Sequence, residues 1–454
     1  KYNIFSGGIS EHIGNYAIED QKGLIEIARL AAKESIRAVS RYIGNYGITD
    51  QEFLIELARR DVQDNVEHGL QNIKNYKITD EQGLIDIVKS VAKQSGSMVS
   101  KHVGQCGITD QKGLVEIAKI VAQSGYCVSE VIGNYNITDE QGLIEIAKLA
   151  AQQKDSKVSK FLGNYGITDG QVLIGIATLA VQHDASFCEF VGNYKISDEA
   201  ALIDEEALIK LAKLAARNAC VSAYIRNFGI SDPEALKEIA YIAAQKEGSF
   251  PEFVGNYGIE DEKVLLELAK FSVQNRAWFF SRHIENFGIS DSEALQEIAY
   301  LAAQDDYNFS SEFARYGIKD EKISIKLAKL AARNGEVTEL IENYSISDPE
   351  ALKEIAYLAA QYDCGFSEHV KKYGIEDREV LIEMARLAAR NDEGSNFSKF
   401  IGNFGITDQN VLIETARDAV QYDGNFSKYI VNYTETLKPK ILAGSYIDLV
   451  ENDL

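Results

Sequence analysis

Ile43-Gly44-Asn45-Tyr46-Gly47-Ile48-Thr49-Asp50 is a stretch that the chain repeats, with small changes, about every 30 residues from one end to the other. A period of roughly 20 to 50 residues marks a solenoid, in which each unit is too small to bury its own apolar face and is stabilised by stacking on its neighbours. The closing Asp sets the register: Asp20, Asp50, Asp80, Asp110, Asp139, Asp169, Asp204, Asp232, Asp261, Asp291, Asp320, Asp348, Asp377 and Asp408, about 14 units. Thr or Ser precedes the Asp in most copies, and together they form a helix start signal. Their oxygens accept from the free N–H groups of a first turn, and the acid suits the positive end of the helix dipole. Pro233 and Pro349 follow the Asp, where the missing N–H of proline removes no hydrogen bond. Helix A of each unit therefore starts at the Asp.

The body of helix A in the first unit reads Leu24, Ile25, Ile27, Ala28, Leu30, Ala31 and Ala32. Apolar residues at these spacings cover a wide arc, as expected for a helix packed on two or more sides. Opposite that arc, Glu26 with Arg29, Glu56 with Arg59, Asp86 with Lys89, Glu116 with Lys119 and Glu145 with Lys148 stand three apart. They are expected to pair within one solvated face, at about 0.2 to 0.5 kcal/mol each. Helix B is shorter and carries segments such as Val99-Ser100-Lys101-His102-Val103. It closes on Tyr or Phe followed by Gly (Gly47, Gly166, Gly258, Gly317) and then Ile, which predicts a left-handed Gly ending with an apolar residue folded back. Ala17, Lys77, Lys195 and Ser345 stand where that Gly is expected. Either the cap differs there or a non-Gly residue accepts left-handed geometry, at about 1 kcal/mol.

These features predict an all-α protein: an α-solenoid of about 14 stacked αα-hairpins forming an elongated superhelix, with a contour near roughly 130 Å at about 9 to 10 Å per pair. Repeats are expected over 1–433, with 434–454 as a C-terminal capping helix or the start of a further segment. At Ser197-Asp198-Glu199-Ala200-Ala201-Leu202 a start signal is followed by a second one at Asp204-Glu205-Glu206-Ala207-Leu208, which predicts an irregular junction near 198–206. Beyond it the units alternate in a rhythm of about 58 residues, visible in Ser231-Asp232-Pro233-Glu234 and Ser347-Asp348-Pro349-Glu350. In the alternating type, Tyr241, Tyr300 and Tyr357 replace the basic partner of the Glu–Lys pair. A row of tyrosines on one exposed face is a candidate partner-binding site, because Tyr is favoured as an amphipathic anchor. Packing against neighbours after duplication of a two-unit block is the competing account. The Asn before the aromatic (Asn45, Asn75, Asn164 and others) is expected to tie one interhelix turn to the next rather than to hold an extended peptide.

The net charge of −22 limits the partners. A nucleic-acid reader has to neutralise phosphates with basic side chains, and an anionic membrane attracts the same residues. A basic or mixed-charge protein surface or peptide is the natural complement. The five cysteines are scattered without disulfide or metal-ligand spacing, which fits a reducing, cytoplasmic compartment. His12, His102, His283 and His369 share one repeat position with Tyr, Phe and Val, and so read as packing substitutes. No cofactor or metal site and no catalytic motif is evident. Asp305-Asp306 and Asp392-Glu393 fall in the A to B connection as caps and solvated loop residues.

The motif Asn-Tyr-Gly-Ile-Thr-Asp, as at Asn164 to Asp169, with Leu-Ile-Glu-Ile-Ala-Lys-Leu-Ala at Leu143 to Ala150, resembles the short two-helix tandem repeats of effectors that intracellular bacteria such as Legionella or Coxiella deliver into host cells. The resemblance covers nearly the whole chain. It implies engagement of a host protein, with delivery into the host cell cytoplasm. The residues themselves point to a monomeric, non-enzymatic scaffold that binds a protein or peptide. The variable exposed helix positions and the A to B loops would carry specificity. The alternatives are the non-catalytic part of a larger enzyme, and a nucleic-acid-binding repeat protein, which the charge disfavours.

Overall fold

The computed structural model describes residues 6–154, 157–196, 205–218, 221–275, 279–391, 397–423, 426–429 and 432–433. The junction near 198–204, the acids Asp392-Glu393 and the segment 434–454 lie outside the described residues. The chain divides into two compact units, Lys1–Ala235 and Leu236–Leu454. Each is built from αα-hairpin repeats, and no strand occurs among the described residues. The all-α repeat solenoid is the fold.

Helix A begins where the Asp signal places it. In Gln51–Asp64, Gln111–Gln123, Ser292–Asp305, Pro349–Tyr362 and Gln409–Tyr422 the preceding Asp has an extended backbone and its carboxylate accepts from N–H groups of the first turn. Pro233 and Pro349 open their helices. The alanines of the arc, such as Ala118, Ala147, Ala177, Ala299 and Ala356, are fully buried, and consecutive A helices pack on one another through them.

Helix B is shorter than a conventional α-helix. It is one or two α-turns continued by a 3₁₀ turn, as in Val128–Val131 followed by Ile132–Tyr135 and Val66–Asn72 followed by Ile73–Tyr76, or is 3₁₀ throughout, as in Ser222–Phe228. The left-handed ending is present, but its N–H closes a 3₁₀ turn: Gly166 donates to Gly163 O at 3.2 Å and Gly374 to Lys371 O at 3.2 Å. Tightening of the last turn satisfies carbonyls that an α-helix would leave free. Ala17, Lys77, Lys195 and Ser345 keep the left-handed backbone with φ between 49° and 52°, so the stack imposes the conformation on non-Gly residues.

The charged pairs differ from expectation. The base of one unit reaches the acid of the next: Arg29 to Glu56 at 3.5 Å, Lys270 to Glu297 at 2.7 Å, Arg386 to Glu414 at 2.6 Å, and likewise Lys89 to Glu116, Lys119 to Glu145 and Lys329 to Glu354. Adjacent A helices lie about 10 Å apart, a distance that a long basic side chain spans. Exposed pairs of this kind contribute about 0.2 to 1 kcal/mol each.

Deeper in the stack a hydroxyl ladder runs from unit to unit. The Ser of one helix B and the Tyr that ends the next share a buried hydrogen bond: Ser100 with Tyr135 at 2.8 Å, Ser129 with Tyr165 at 3.0 Å, Ser159 with Tyr194 at 2.9 Å, Ser281 with Tyr316 at 2.7 Å and Ser310 with Tyr344 at 2.8 Å. A buried hydroxyl without a partner costs about 1 to 3 kcal/mol, and the chain avoids it. Where Leu70, Cys188 or Pro251 takes the Ser position, the following unit carries Cys106, Phe228 or Phe287 instead of Tyr. Ser367, followed one repeat on by Phe404, is an exception.

The asparagines serve the same stacking, as expected. Asn164 donates to Ser129 O at 3.0 Å and Glu130 O at 3.2 Å, and Asn403 to Ser367 O and Glu368 O at 3.0 Å each. Each Asn thereby caps the end of the preceding helix B. The first helix-A residue closes another tie: Glu262 Oε1 accepts from Ser290 N at 2.7 Å and Asp291 N at 3.1 Å, 28 and 29 residues on.

Candidate binding cleft

The stacking ladders engage many polar side chains on the helical faces, and two tyrosines of the row take part in them. Tyr241, Tyr300 and Tyr357 are half-buried rather than exposed. The Tyr357 hydroxyl donates to Glu383 at 2.5 Å and that of Tyr241 to Glu267, the same next-unit acid that a lysine meets elsewhere. Tyr241 also sets its ring edge-on to Phe271, with centroids 6.0 Å apart. Opposite Tyr300 the acid is replaced by Lys326, and the Tyr300 hydroxyl has no partner among the described residues.

The A to B loops of the second unit behave differently. Helix Ser292–Asp305 stops because Asp306 turns to extended backbone (φ −99°, ψ 112°). The Asp306 carboxylate accepts from Ser281 N at 2.7 Å and Asn308 N at 3.0 Å, capping helix B of the preceding unit and its own loop. Asp363 does the same for Thr338 N at 3.0 Å and Gly365 N at 2.8 Å. The expectation of Asp306 as a cap therefore holds, although it is half-buried in a shared bond network rather than solvated. Between these caps Tyr307 is lifted into solvent, 83% exposed.

Helix Glu321–Arg333 ends at Asn334, whose amide donates to Ala303 O at 2.9 Å and to Gln304 O. Gly335 follows with φ 76°, and a Cβ there would lie 2.8 Å from Tyr362 O, so the loop passes too close to the next one for any side chain. That approach places Glu336 between the loops. Together with Phe279, half exposed and left-handed at φ 57°, Tyr307, Asp305 and Asp306, it lines a cleft of about 740 Å³ floored by Val273 and Phe280.

Burial, with the carboxylates of Asp306 and Asp363 adding to it, pushes the Glu336 carboxyl up to about 8. Its side chain has no hydrogen-bond or ion-pair partner among the described residues. The fold therefore favours the protonated form. The associated stability is full below the ordinary value of 4.5 and is lost as pH rises towards about 8. Between about pH 5 and about pH 8 the wild type is expected to lose more stability than Glu336→Gln, read from urea midpoints. Parallel curves for the two proteins would refute this.

A second titratable cluster lies in the first unit. Asp61, fully buried, accepts from the Tyr76 hydroxyl at 3.2 Å and has His68 Nδ1 3.4 Å from its other oxygen. Burial pushes its carboxyl above the usual range, and it faces the Ser40 position of the hydroxyl ladder, so its role is in the stack. Of the four histidines that share one repeat position, His102 is buried, His283 and His369 are half-buried and His12 is exposed, so packing does not account for His12. Among the described residues no group of three or more His, Cys, Asp or Glu could hold a metal ion, and no helix is long and apolar enough to cross a membrane.

Sequence reasoning named the A to B loops but neither Glu336 nor Tyr307 nor Phe279. A signal existed in Asp305-Asp306-Tyr307, an aromatic in an acidic loop where apolar burial is not on offer. For Glu336 there was none, since its setting is made by loops about 30 residues apart on either side.

Neither a protein-family model nor a curated protein matches the chain. Among solved structures it is similar to one described as "Circular tandem repeat protein with novel repeat topology and enhanced subunit contact surfaces", at 16% identity over 99% of each chain and a TM-score of 0.13. A superposition that poor transfers neither geometry nor activity.

Proposed function

We propose that this protein is a non-enzymatic scaffold for protein–protein interaction, and that its partner contacts the loop face around Phe279, Tyr307 and Glu336. The observation that carries the proposal is a division of labour. Hydroxyls, asparagines, caps and charged pairs on the helices are spent unit to unit, while aromatics on the loop face stand in water around a cleft. Exposed aromatic anchors beside a concavity are where binding energy concentrates in protein interfaces. The net charge of −22 favours a basic or mixed-charge partner.

Of the tyrosine row, Tyr300 is the member proposed to face a partner, since Tyr241 and Tyr357 already bond to glutamates. The likeness of Asn-Tyr-Gly-Ile-Thr-Asp to the repeats of bacterial effectors makes a host protein the partner class proposed here, met by a monomer in the host cytoplasm. Residues 1–433 are proposed as tandem-repeat sequence.

Tyr362, half exposed at the end of helix Pro349–Tyr362 where the following loop begins, is the third aromatic of this face. The test is affinity capture from eukaryotic lysate on the wild type, on a Phe279→Ser, Tyr307→Ser, Tyr362→Ser variant and on Tyr300→Ala. A partner retained by the wild type and lost from the triple variant, at unchanged melting temperature, is the expected result. Equal retention by both would reject the loop face, and retention of nothing would reject the scaffold.

A further inference from the structure

The cleft of the second unit presents aromatic walls and acidic groups together, and that pairing narrows what it can hold. We propose that it is a docking groove for a basic segment of a partner protein, which places an arginine or lysine side chain against Tyr307 and Phe279 with its charge at Glu336. This rests on the loop face being the contact surface.

Charge complementarity selects the occupant. Asp305, Asp306 and Glu336 line the cleft, Asp363 acts on Glu336 from the following loop, and no Lys or Arg lines it among the described residues, although Arg282 lies 5.9 Å from the centroid of the Phe279 ring and leaves Tyr307 as the aromatic wall without a cation. Asp306 and Asp363 are committed to backbone N–H groups, and Asn334 to two carbonyls. Glu336 is left as a half-buried carboxyl that either keeps its proton or gains a cation. An anion would be repelled. A purely apolar side chain would cover Val273 and Phe280 but leave the Glu336 carboxyl desolvated without a compensating charge or hydrogen bond. A guanidinium or ammonium supplies the missing charge and lies favourably on aromatic rings, at about 0.5 to 2 kcal/mol per cation–π contact. Arginine suits the site better than lysine because its planar fork stacks on a ring while it bonds a carboxylate.

Binding of the cation needs ionised Glu336, so proton release is linked to docking. Affinity rises with pH, and the gain is greatest where free Glu336 still holds its proton, up to about 8.

The experiment titrates the full chain into a rhodamine-labelled peptide, Gly-Ser-Gly-Arg-Arg-Gly-Ser-Gly, and into the same peptide with citrulline in place of both arginines. Anisotropy is read between about pH 6 and about pH 9. The arginine peptide should bind about tenfold or more tightly than the citrulline one, with an affinity that climbs with pH. Glu336→Gln should lose about tenfold and flatten the pH profile. Glu26→Gln, which removes one charge from an exposed helix position of the other unit, should change neither. Tyr307→Ser alters a side chain that stands in solvent, so it tests the aromatic wall without threatening the fold. Its affinity should fall.

The groove is overturned if Glu336→Gln behaves as Glu26→Gln, or if citrulline binds as well as arginine. A lysate partner that survives Glu336→Gln but is lost from the triple loop variant sinks the groove and leaves the scaffold standing. A partner indifferent to every loop substitution sinks the scaffold itself.

Discussion

Tyr135→Ala is expected to cost about 3 to 5 kcal/mol, the range for truncating a large buried aromatic. The side chain is fully buried at the end of its helix B, and its hydroxyl shares a 2.8 Å bond with Ser100. Removal opens a cavity between consecutive units and strands the Ser100 hydroxyl, two losses in one place. Tyr135→Phe separates them: it keeps the ring and should cost only about 1 kcal/mol, the net value of a buried hydrogen bond. Burial also pushes the Tyr135 hydroxyl up to about 12, so the bond stays intact at any pH where the protein is handled. In a solenoid each repeat depends on its neighbours alone, so the damage should be local. Hydrogen exchange is the measurement of choice, since a single unfolding free energy is poorly defined for long repeat arrays. Protection should fall first in the helices flanking Ser100 and Tyr135. A uniform rise in exchange along the chain, or a shift in Tyr135→Ala no larger than that of Tyr135→Phe, would contradict the account.

The next largest effect is expected at Gly69. A Cβ there would lie 2.6 Å from Val62 Cα and 2.7 Å from Val62 N, backbone atoms of the facing helix Gln51–Asp64. Two tendencies compete when Gly69 is replaced. Glycine in a helix interior is about 0.5 to 1 kcal/mol worse than alanine, so substitution relieves the unfolded-state penalty. Forcing atoms into a packed contact costs about 1 to 3 kcal/mol, and here the obstacle cannot rotate away. The contact wins, and Gly69→Val should destabilise by about 3 kcal/mol, at the upper end of that range. Helix Val66–Asn72 would have to move off its neighbour, carrying His68 away from Asp61, now 3.4 Å apart. Thermal unfolding of Gly69→Val beside Gly104→Ala, whose Cβ would meet Asn134 O at 2.6 Å, checks the reasoning. A stabilised Gly69→Val would mean that the helix pair slides freely.

Local signals carried much of the architecture. The Asp at each start and the Gly after each Tyr act within a few residues, so their meaning survives without knowledge of neighbours. Even the non-Gly endings at Lys77 and Ser345 were confined to two options by position. The 3₁₀ character of helix B was not legible in the residues. The hydroxyl ladder was legible in principle. Leu70 with Cys106, Cys188 with Phe228 and Pro251 with Phe287 are coupled absences inside one chain, visible once the lag of one repeat is considered.

The sequence by itself determined that this is a tandem array of two-helix units with fixed caps, and that its charge favours basic partners, because periodicity, capping and net charge are properties of the residues alone. Tertiary structure decided which side chains remain free. Arg29 meets Glu56 and not Glu26, Tyr357 is engaged by Glu383, and Glu336 is desolvated between loops that Gly335 brings together. Each outcome depends on distances between units about 30 residues apart, and those distances exist only after the stack has formed.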